Sequence, residues 1–292
     1  MSYLIAIDLG GTKTITALIK NKKIIKKIKF QTIKGKSNVI KQLISSIYFV
    51  LISINKRKIE KIIIGVASPV DEEKGLIINA PNIKGLKNTN IKKILENKFD
   101  IPVIVLNDAK LQALGEYSIN QNINSLFFIT LGTGVGAAFV YKGKVFSTEF
   151  GHSIIQLNGN KCSCKNKGCL QAYVSGRAIT SLYYKKYGKK LLPSKIFQLA
   201  KKSNKNAKKF VDETGFYLGI GLTNIINIFN PQLIIVNGGL SKPGNIILKE
   251  AKKVIRQNRI INWKGKIIIS QLQEDALFYG AIYIQGSSAV GP

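Results

Sequence analysis

Residues 4–22 read LIAIDLGGTKTITALIKNK, and residues 126–144 read LFFITLGTGVGAAFVYKGK. At a constant offset of 122, Leu4, Ile7, Leu9, Gly10, Lys20 and Lys22 fall on Leu126, Ile129, Leu131, Gly132, Lys142 and Lys144. Each copy is an apolar run, a glycine-rich turn, a second apolar run and a short turn at Asn21-Lys22 or Lys142-Gly143. That order predicts a β-hairpin opening a β-sheet, made twice.

The segments downstream of the two hairpins also match each other. The first half predicts a third strand near 24–30, a helix near 38–56, a buried strand at 61–66, a helix near 90–99 capped by Thr89 or Asn90, and a strand at 102–106. The second predicts a strand at 144–147, helices across 175–230, a strand at 232–236, a helix near 245–258, a strand at 266–270 and a last helix from about 275. Two such halves, each a mixed sheet packed by helices, make an α/β architecture, with a site expected between two lobes. A length of 292 residues suits two domains or one large one.

The charge of +30 invites a nucleic-acid partner. Its makeup argues otherwise: only Arg57, Arg177, Arg256 and Arg259 are arginines, 41 residues are lysines spread along the chain, and Ile occurs 47 times. That is the signature of AT-rich coding, and arginine, the preferred fork for phosphate and guanine edges, is avoided. Solvated faces are expected, not a specific nucleic-acid site. Asp8 and the lack of a cationic start exclude a signal peptide. The longest apolar run, 43–54, is too short to span a bilayer, and three cysteines within eight positions do not resemble an extracellular disulfide framework. A cytoplasmic protein with no membrane partner is expected.

Glycine lets backbone N–H groups approach a phosphate, and successive N–H groups form an anion nest. A lone glycine turn is only a tight turn. Two at matching positions of a duplicated unit, Gly10-Gly11-Thr12-Lys13 and Gly132-Thr133-Gly134, point to a nucleotide's phosphates. Asp8 is placed to hold Mg²⁺ through water, and Lys13 adds positive charge. Gly238-Gly239 follows another strand, where a base or ribose could lie on bare backbone. No G-x4-G-K-[ST] pattern occurs, so this is not a P-loop protein.

Glu149-Phe-Gly-His152 precedes Cys162-Ser-Cys164-Lys-Asn-Lys-Gly-Cys169-Leu-Gln171. His152, Cys162, Cys164 and Cys169 supply the four ligands of a closed, structural Zn²⁺ site. Polar neighbours argue against cysteines buried only for packing. Glu149, His152 and Gln171 then project from one braced loop and suit hydroxyl recognition, with Asn82 as a further contact. Asn107-Asp108 follows a buried strand and precedes a helix. Asp108 is either a general base or the cap of a helix at 109–118.

These motifs together resemble the ROK family (repressors, open reading frames and kinases), specifically its glucokinase-like sugar kinases. DLGGTK at 8–13, LND at 106–108, LGTGVG at 131–136, EFGH at 149–152, CSCKNKGCLQ at 162–171, YVSGRAI at 173–179 and NPQLIIVNGGLS at 230–241 follow the family order. The resemblance implies the duplicated, ribonuclease-H-like actin-like ATPase fold. Residues 1–108 plus 275–292 would form a small lobe, and 109–274 a large lobe carrying the second hairpin, zinc loop and adenosine segment. It implies Asp108 as catalytic base and Asn107, Glu149 and His152 as sugar contacts. The implied reaction uses ATP with Mg²⁺ to phosphorylate a hexose, glucose to glucose 6-phosphate first, in a homodimer bearing one structural Zn²⁺ per chain. The alternatives are a kinase for mannose, fructose, N-acetylglucosamine or N-acetylmannosamine, a polyphosphate donor, or a non-catalytic sugar sensor. The family's DNA-binding repressors carry a helix-turn-helix ahead of the sugar domain, whereas this chain enters its first strand at Tyr3, which favours the kinase branch. Departures from the family pattern are Gln171 in place of a usual Glu, Lys165 in place of the Gly of C-x-C-G, a shortened stretch before Glu149, Ala67-Ser68-Pro69-Val70 in place of I-P-G, and Asn237-Gly238-Gly239 in place of GGG.

Overall fold

Both predicted hairpins form, and each starts a five-stranded mixed sheet. The computed structural model describes residues 3–52, 54–80, 83, 85–240 and 246–286. The first half contains β1 (Tyr3–Leu9), β2 (Lys13–Lys20), β3 (Lys23–Gln31), α1 (Lys36–Leu51), β4 (Ile59–Val66), the short strands β5 (Val70–Asp71), β6 (Leu76–Ile77) and β7 (Thr89–Asn90), α2 (Ile91–Phe99), β8 (Val103–Asn107) and α3 (Asp108–Ser118). The second contains β9 (Ser125–Leu131), β10 (Val135–Tyr141), β11 (Lys144–Thr148), α4 (Gln171–Val174), α5 (Gly176–Tyr187), α6 (Pro193–Lys201), α7 (Lys205–Phe229), β12 (Leu233–Asn237), α8 (Ile246–Asn258), β13 (Lys266–Ile269) and α9 (Ala276–Gln285).

The sheet orders are β3-β2-β1-β4-β8 and β11-β10-β9-β12-β13, the same order of strands within each half. Each begins with an antiparallel pair, β1 with β2 and β9 with β10, and continues through parallel pairs to β4 and β12. The second turns have two consecutive left-handed residues, Asn21 and Lys22 (φ 51° and 62°) or Lys142 and Gly143 (φ 47° and 79°). This is the type I′ signature that matches strand twist.

Contacts divide the chain into one unit of Met1–Gln121, Gly143–Val145 and Glu274–Pro292 and another of Asn122–Lys142 and Phe146–Gln273. The first boundary lies after α3, whereas the sequence reading places it after residue 108. In the first unit β1 sends alternate side chains to two cores. Ile5, Ile7 and Leu9 join Val39, Leu43 and Ile47 of α1 and Leu95 and Phe99 of α2. Leu4 and Ala6 join Leu111 and Leu114 of α3 and Leu277, Phe278 and Ala281 of α9. By the same parity Asp8 belongs to the α3–α9 face. These two helices cross where neither has a side chain: a Cβ on Gly115 would lie 1.8 Å from the Ala276 carbonyl oxygen, and one on Gly280 would lie 1.9 Å from that of Leu111. The last helix therefore packs within the first unit, on α3; the stretch beyond residue 286 lies outside the described residues.

In the second unit, α5–α8 cover Phe127, Ile129 and Leu131 of β9 and Ile234 and Val236 of β12 in a single large core. The helical stretch read as 175–230 is cut by its own signals: Ser175 caps α5 through the Ala178 amide, Gly188 closes it at φ 68°, Pro193 starts α6, and Asn204 caps α7. Helix α1 starts two residues before the predicted 38 and stops at Leu51, short of 56; Asn55 caps a separate 3-10 turn at Lys56–Lys58. The three-stranded sheet β5-β6-β7 was not anticipated, because two-residue strands carry no readable period. No helix among the described residues is long and apolar enough to cross a membrane.

Candidate functional site

The first unit gathers Asp8, Asn107, Asp108 and the Gly10–Lys13 turn. Asn107 caps α3: its Oδ1 accepts the Ala109 amide at 3.0 Å and the Lys110 amide at 3.4 Å, while its Nδ2 donates to the Ser68 carbonyl at 3.4 Å. Capping thus falls to Asn107, and Asp108 becomes the first helical residue. Its Oδ1 accepts the Ala109 amide at 2.8 Å. Burial, followed by the charge of Asp8, pushes the Asp108 carboxyl up to about 7 against the pull of that amide. Burial also lifts Asp8 to about 6; Lys13 opposes this and Glu274 adds to it. Two neighbouring carboxyls with proton affinities near neutrality are the kind of pair that moves protons. The turn before β2 is held by the Gly10 amide on the Lys13 carbonyl (3.0 Å) and by the Thr32 hydroxyl on the Gly10 carbonyl (2.8 Å), leaving Gly11 and Thr12 exposed. Asn82 lies outside the described residues.

In the second unit, the Gly132 amide donates to the Gly134 carbonyl at 3.0 Å, and the Gly132 carbonyl accepts the Gly176 amide at 2.8 Å. Thr133 is exposed at the tip. A Cβ built on Gly132 or Gly239 would meet nothing within 4 Å. Those bare, open backbone faces fit a bound nucleotide. Gly238 is needed for its conformation: φ is 92°, and a Cβ would come within 2.4 Å of the Leu131 carbonyl oxygen.

The ligand atoms of His152, Cys162, Cys164 and Cys169 lie within 4.8 Å of one another. Cys164 and Cys169 sulfurs are 3.6 Å apart, and Cys162 Sγ is 3.6 Å from His152 Nδ1. Those separations are too long for a disulfide but close to the edge of a tetrahedron around zinc, about 3.8 Å for Zn–S of about 2.3 Å. Burial pushes the Cys169 thiol up to about 12. Burial acts the same way on Cys162, but hydrogen bonds led by the Cys164 amide outweigh it and bring that thiol to about 7. A donor set of three sulfurs and one imidazole, with all four positions supplied by protein, fits a closed Zn²⁺ site. Glu149 is exposed and precedes the 3-10 turn Phe150–His152. Gln171 is drawn elsewhere: its Oε1 accepts the Val135 amide at 2.9 Å, and its Nε2 donates to Ser163 Oγ at 3.0 Å. A cavity of about 510 Å³ in this unit, lined by Asn160, Tyr173, Lys186, Glu213, Thr214 and Tyr217, includes none of the candidate catalytic, binding or metal residues, although Tyr173 opens the motif at 173–179.

The profile of the ROK family matches residues 4–287. The chain belongs to the ROK family. It is 29% identical to the glucokinase of Thermotoga maritima, an alignment covering 96% of each protein. It is 32% identical to the xylose repressor of Caldicellulosiruptor bescii over 75% of this chain, and spans 60% of that repressor's length. Among solved structures it resembles a ROK glucokinase from Streptomyces griseus in complex with glucose and AMPPNP, with TM-score 0.83, 26% identity and coverage of 96% and 98% of the two chains. The fold is therefore the actin-like ATPase fold that the family resemblance implied.

Sequence reading missed three participants in this ROK chain. Lys13 does not stand alone: Glu274 binds its ammonium, and that of Lys29 at 2.8 Å. Burial would raise the Glu274 carboxyl, but those two lysines outweigh it and hold it at about 2. Lys13 and Glu274 are 261 positions apart, so no local pattern links them. Ser163, between two cysteines, carried no motif of its own.

Proposed function

We propose that this ROK chain is a sugar kinase using ATP with Mg²⁺ to phosphorylate a hexose, with glucose, giving glucose 6-phosphate, as the first candidate. The observation that carries the reading is the Asp8–Asp108 pair, with the α3 cap supplied by Asn107 and the Asp108 carboxyl raised by burial and by Asp8 to about 7. A general base is most useful when its proton affinity lies near the working pH. In the proposed step Asp108 accepts the proton of the sugar hydroxyl as its oxygen bonds to the γ-phosphorus. The bond to the β,γ-bridging oxygen breaks, and ADP leaves. The amides of the two glycine turns, with Lys13, would hold phosphate oxygens; Gly238 and Gly239 would lie against the nucleoside; Glu149, His152 and Asn107 Nδ2 would bind sugar hydroxyls. Mg²⁺, when bound, neutralises phosphate charge, and Asp8 is the residue that would orient its water shell. Zn²⁺ would be held by His152 and the three cysteines in a structural role.

A second reading, a sugar-binding regulator without catalysis, is favoured by the 32% identity to a xylose repressor. A coupled assay with glucose, mannose, fructose, N-acetylglucosamine, N-acetylmannosamine and xylose, each with ATP or polyphosphate, separates the two. Phosphoryl transfer to any hexose supports the kinase. Tight sugar binding with no turnover across the panel rejects it in favour of the regulator.

A further inference from the structure

Among the described residues, Gln171 touches both the Cys–His cluster and the second glycine hairpin. Its Oε1 accepts the amide of Val135, the first residue of β10, at 2.9 Å. Its Nε2 faces the other way, 3.0 Å from Ser163 Oγ and 3.9 Å from Cys162 Sγ. Gly134 makes room for it: a Cβ there would lie 2.8 Å from Gln171 Oε1. The residue opens α4, whose Ala172 and Tyr173 are buried, so its backbone is anchored and the amide spans a fixed gap. From this bridging geometry we infer that Gln171 is a positioning residue that ties the metal loop to the phosphate hairpin. It would hold Val135 and Gly134 in the turn that takes phosphate and at the same time steady the Cys162 sulfur.

The chemistry explains why an amide serves here. One end must accept a backbone N–H, which an amide or a carboxylate can do. The other end must donate to a sulfur that would be a thiolate when metal is bound. Only the amide has that proton, and a carboxylate would set negative charge against negative charge. Hydrogen bonds from outer groups to metal ligands commonly change metal affinity 10–100-fold. The Gln171 amide therefore couples metal retention to hairpin order, which departs from the direct sugar-hydroxyl contact expected of this position.

The inference rests on the kinase reading only for the consequence that hairpin order sets nucleotide affinity. The test separates the two on the zinc-loaded 292-residue protein. Hydrogen exchange reports the order of residues 131–137, a chromophoric chelator reports zinc release, and calorimetry reports Kd for a non-hydrolysable ATP analogue and for glucose. Gln171→Ala should speed exchange at Val135 about fivefold, the worth of one hydrogen bond. It should also speed zinc loss about tenfold and weaken the ATP analogue while glucose affinity stays within about twofold. Gln171→Glu should restore slow exchange at Val135 yet still lose zinc faster than wild type. If Gln171→Ala fails to fold, Ser163→Ala, which removes only the far anchor, should give a smaller rise in exchange. Unchanged exchange in Gln171→Ala, or loss of glucose affinity alone, overturns the inference. A wild-type protein that binds no ATP analogue rejects the kinase reading and leaves the exchange and zinc results to decide on the bridge.

Discussion

Replacing Asp108 by Asn should make the protein far less active and, above neutral pH, more stable. Asparagine keeps the shape and the oxygen that accepts the Ala109 amide at 2.8 Å, but it cannot take a proton. Under the kinase reading kcat falls by roughly 10²–10⁴, and the acid limb of the wild-type pH–rate profile, expected near the carboxyl's value of about 7, disappears. Stability moves the other way. Burial raises Asp108 from an ordinary 3.8 to about 7, so the folded chain binds this proton more tightly than the unfolded chain. That advantage is complete below about 3.8 and is lost as pH rises through about 7, where the fold must carry the charged form. At about 1.4 kcal/mol per pH unit, the gap amounts to ~4 kcal/mol. Partial solvent contact at both Asp8 and Asp108 makes this an upper bound. If half is realised, Asp108→Asn should melt about 4–8 °C above wild type at pH 8. The margin should narrow toward pH 5. Thermal melts without nucleotide or Mg²⁺, paired with the coupled assay, read both effects. Equal melting temperatures at pH 8 together with near-normal turnover would refute the assignment.

Other outcomes are equally definite. Elemental analysis should find about one zinc per chain, and its removal should melt the loop around 152–171 before the first unit; a metal-free preparation with unchanged melting would contradict a structural role. Lys165 is held at φ 79°, a left-handed conformation that disfavours side chains, so Lys165→Gly should stabilise the zinc-loaded protein by roughly 1 kcal/mol, read from denaturant midpoints. Destabilisation would mean that the lysine side chain matters more than its backbone. Glu274→Gln should free Lys13 and Lys29 and tighten ATP binding by up to about fivefold at low ionic strength, with the gain fading in high salt. Weaker binding at every salt concentration would show that Glu274 orients Lys13 instead of competing for it.

Much of this protein was legible in order because its information is local and repeated. The two hairpins, the short turns at Asn21-Lys22 and Lys142-Gly143, the cap at Asn90, and the Cys–His spacing all act within a few residues. Composition could be read as well: the lysines of β3 lie along an edge strand whose residues alternate between exposed and half-buried, a solvated face that also guards an edge. The domain boundary and the small sheet β5-β6-β7 were less legible, since they depend on which helix finds which neighbour.

The sequence by itself determined the duplicated α/β plan, the glycine turns and the four metal-ligand side chains, since strand period, turn chemistry and ligand type are properties of short segments. Only the tertiary structure decided what those residues do to one another. It gave the α3 cap to Asn107 and buried Asp108 near Asp8, which raises its carboxyl. It set Glu274 on Lys13 across 261 positions, and it turned Gln171 toward Val135 and Ser163. Proton affinity and hydrogen-bond partners depend on burial and on neighbours brought together by folding, and no local pattern in the chain carries them.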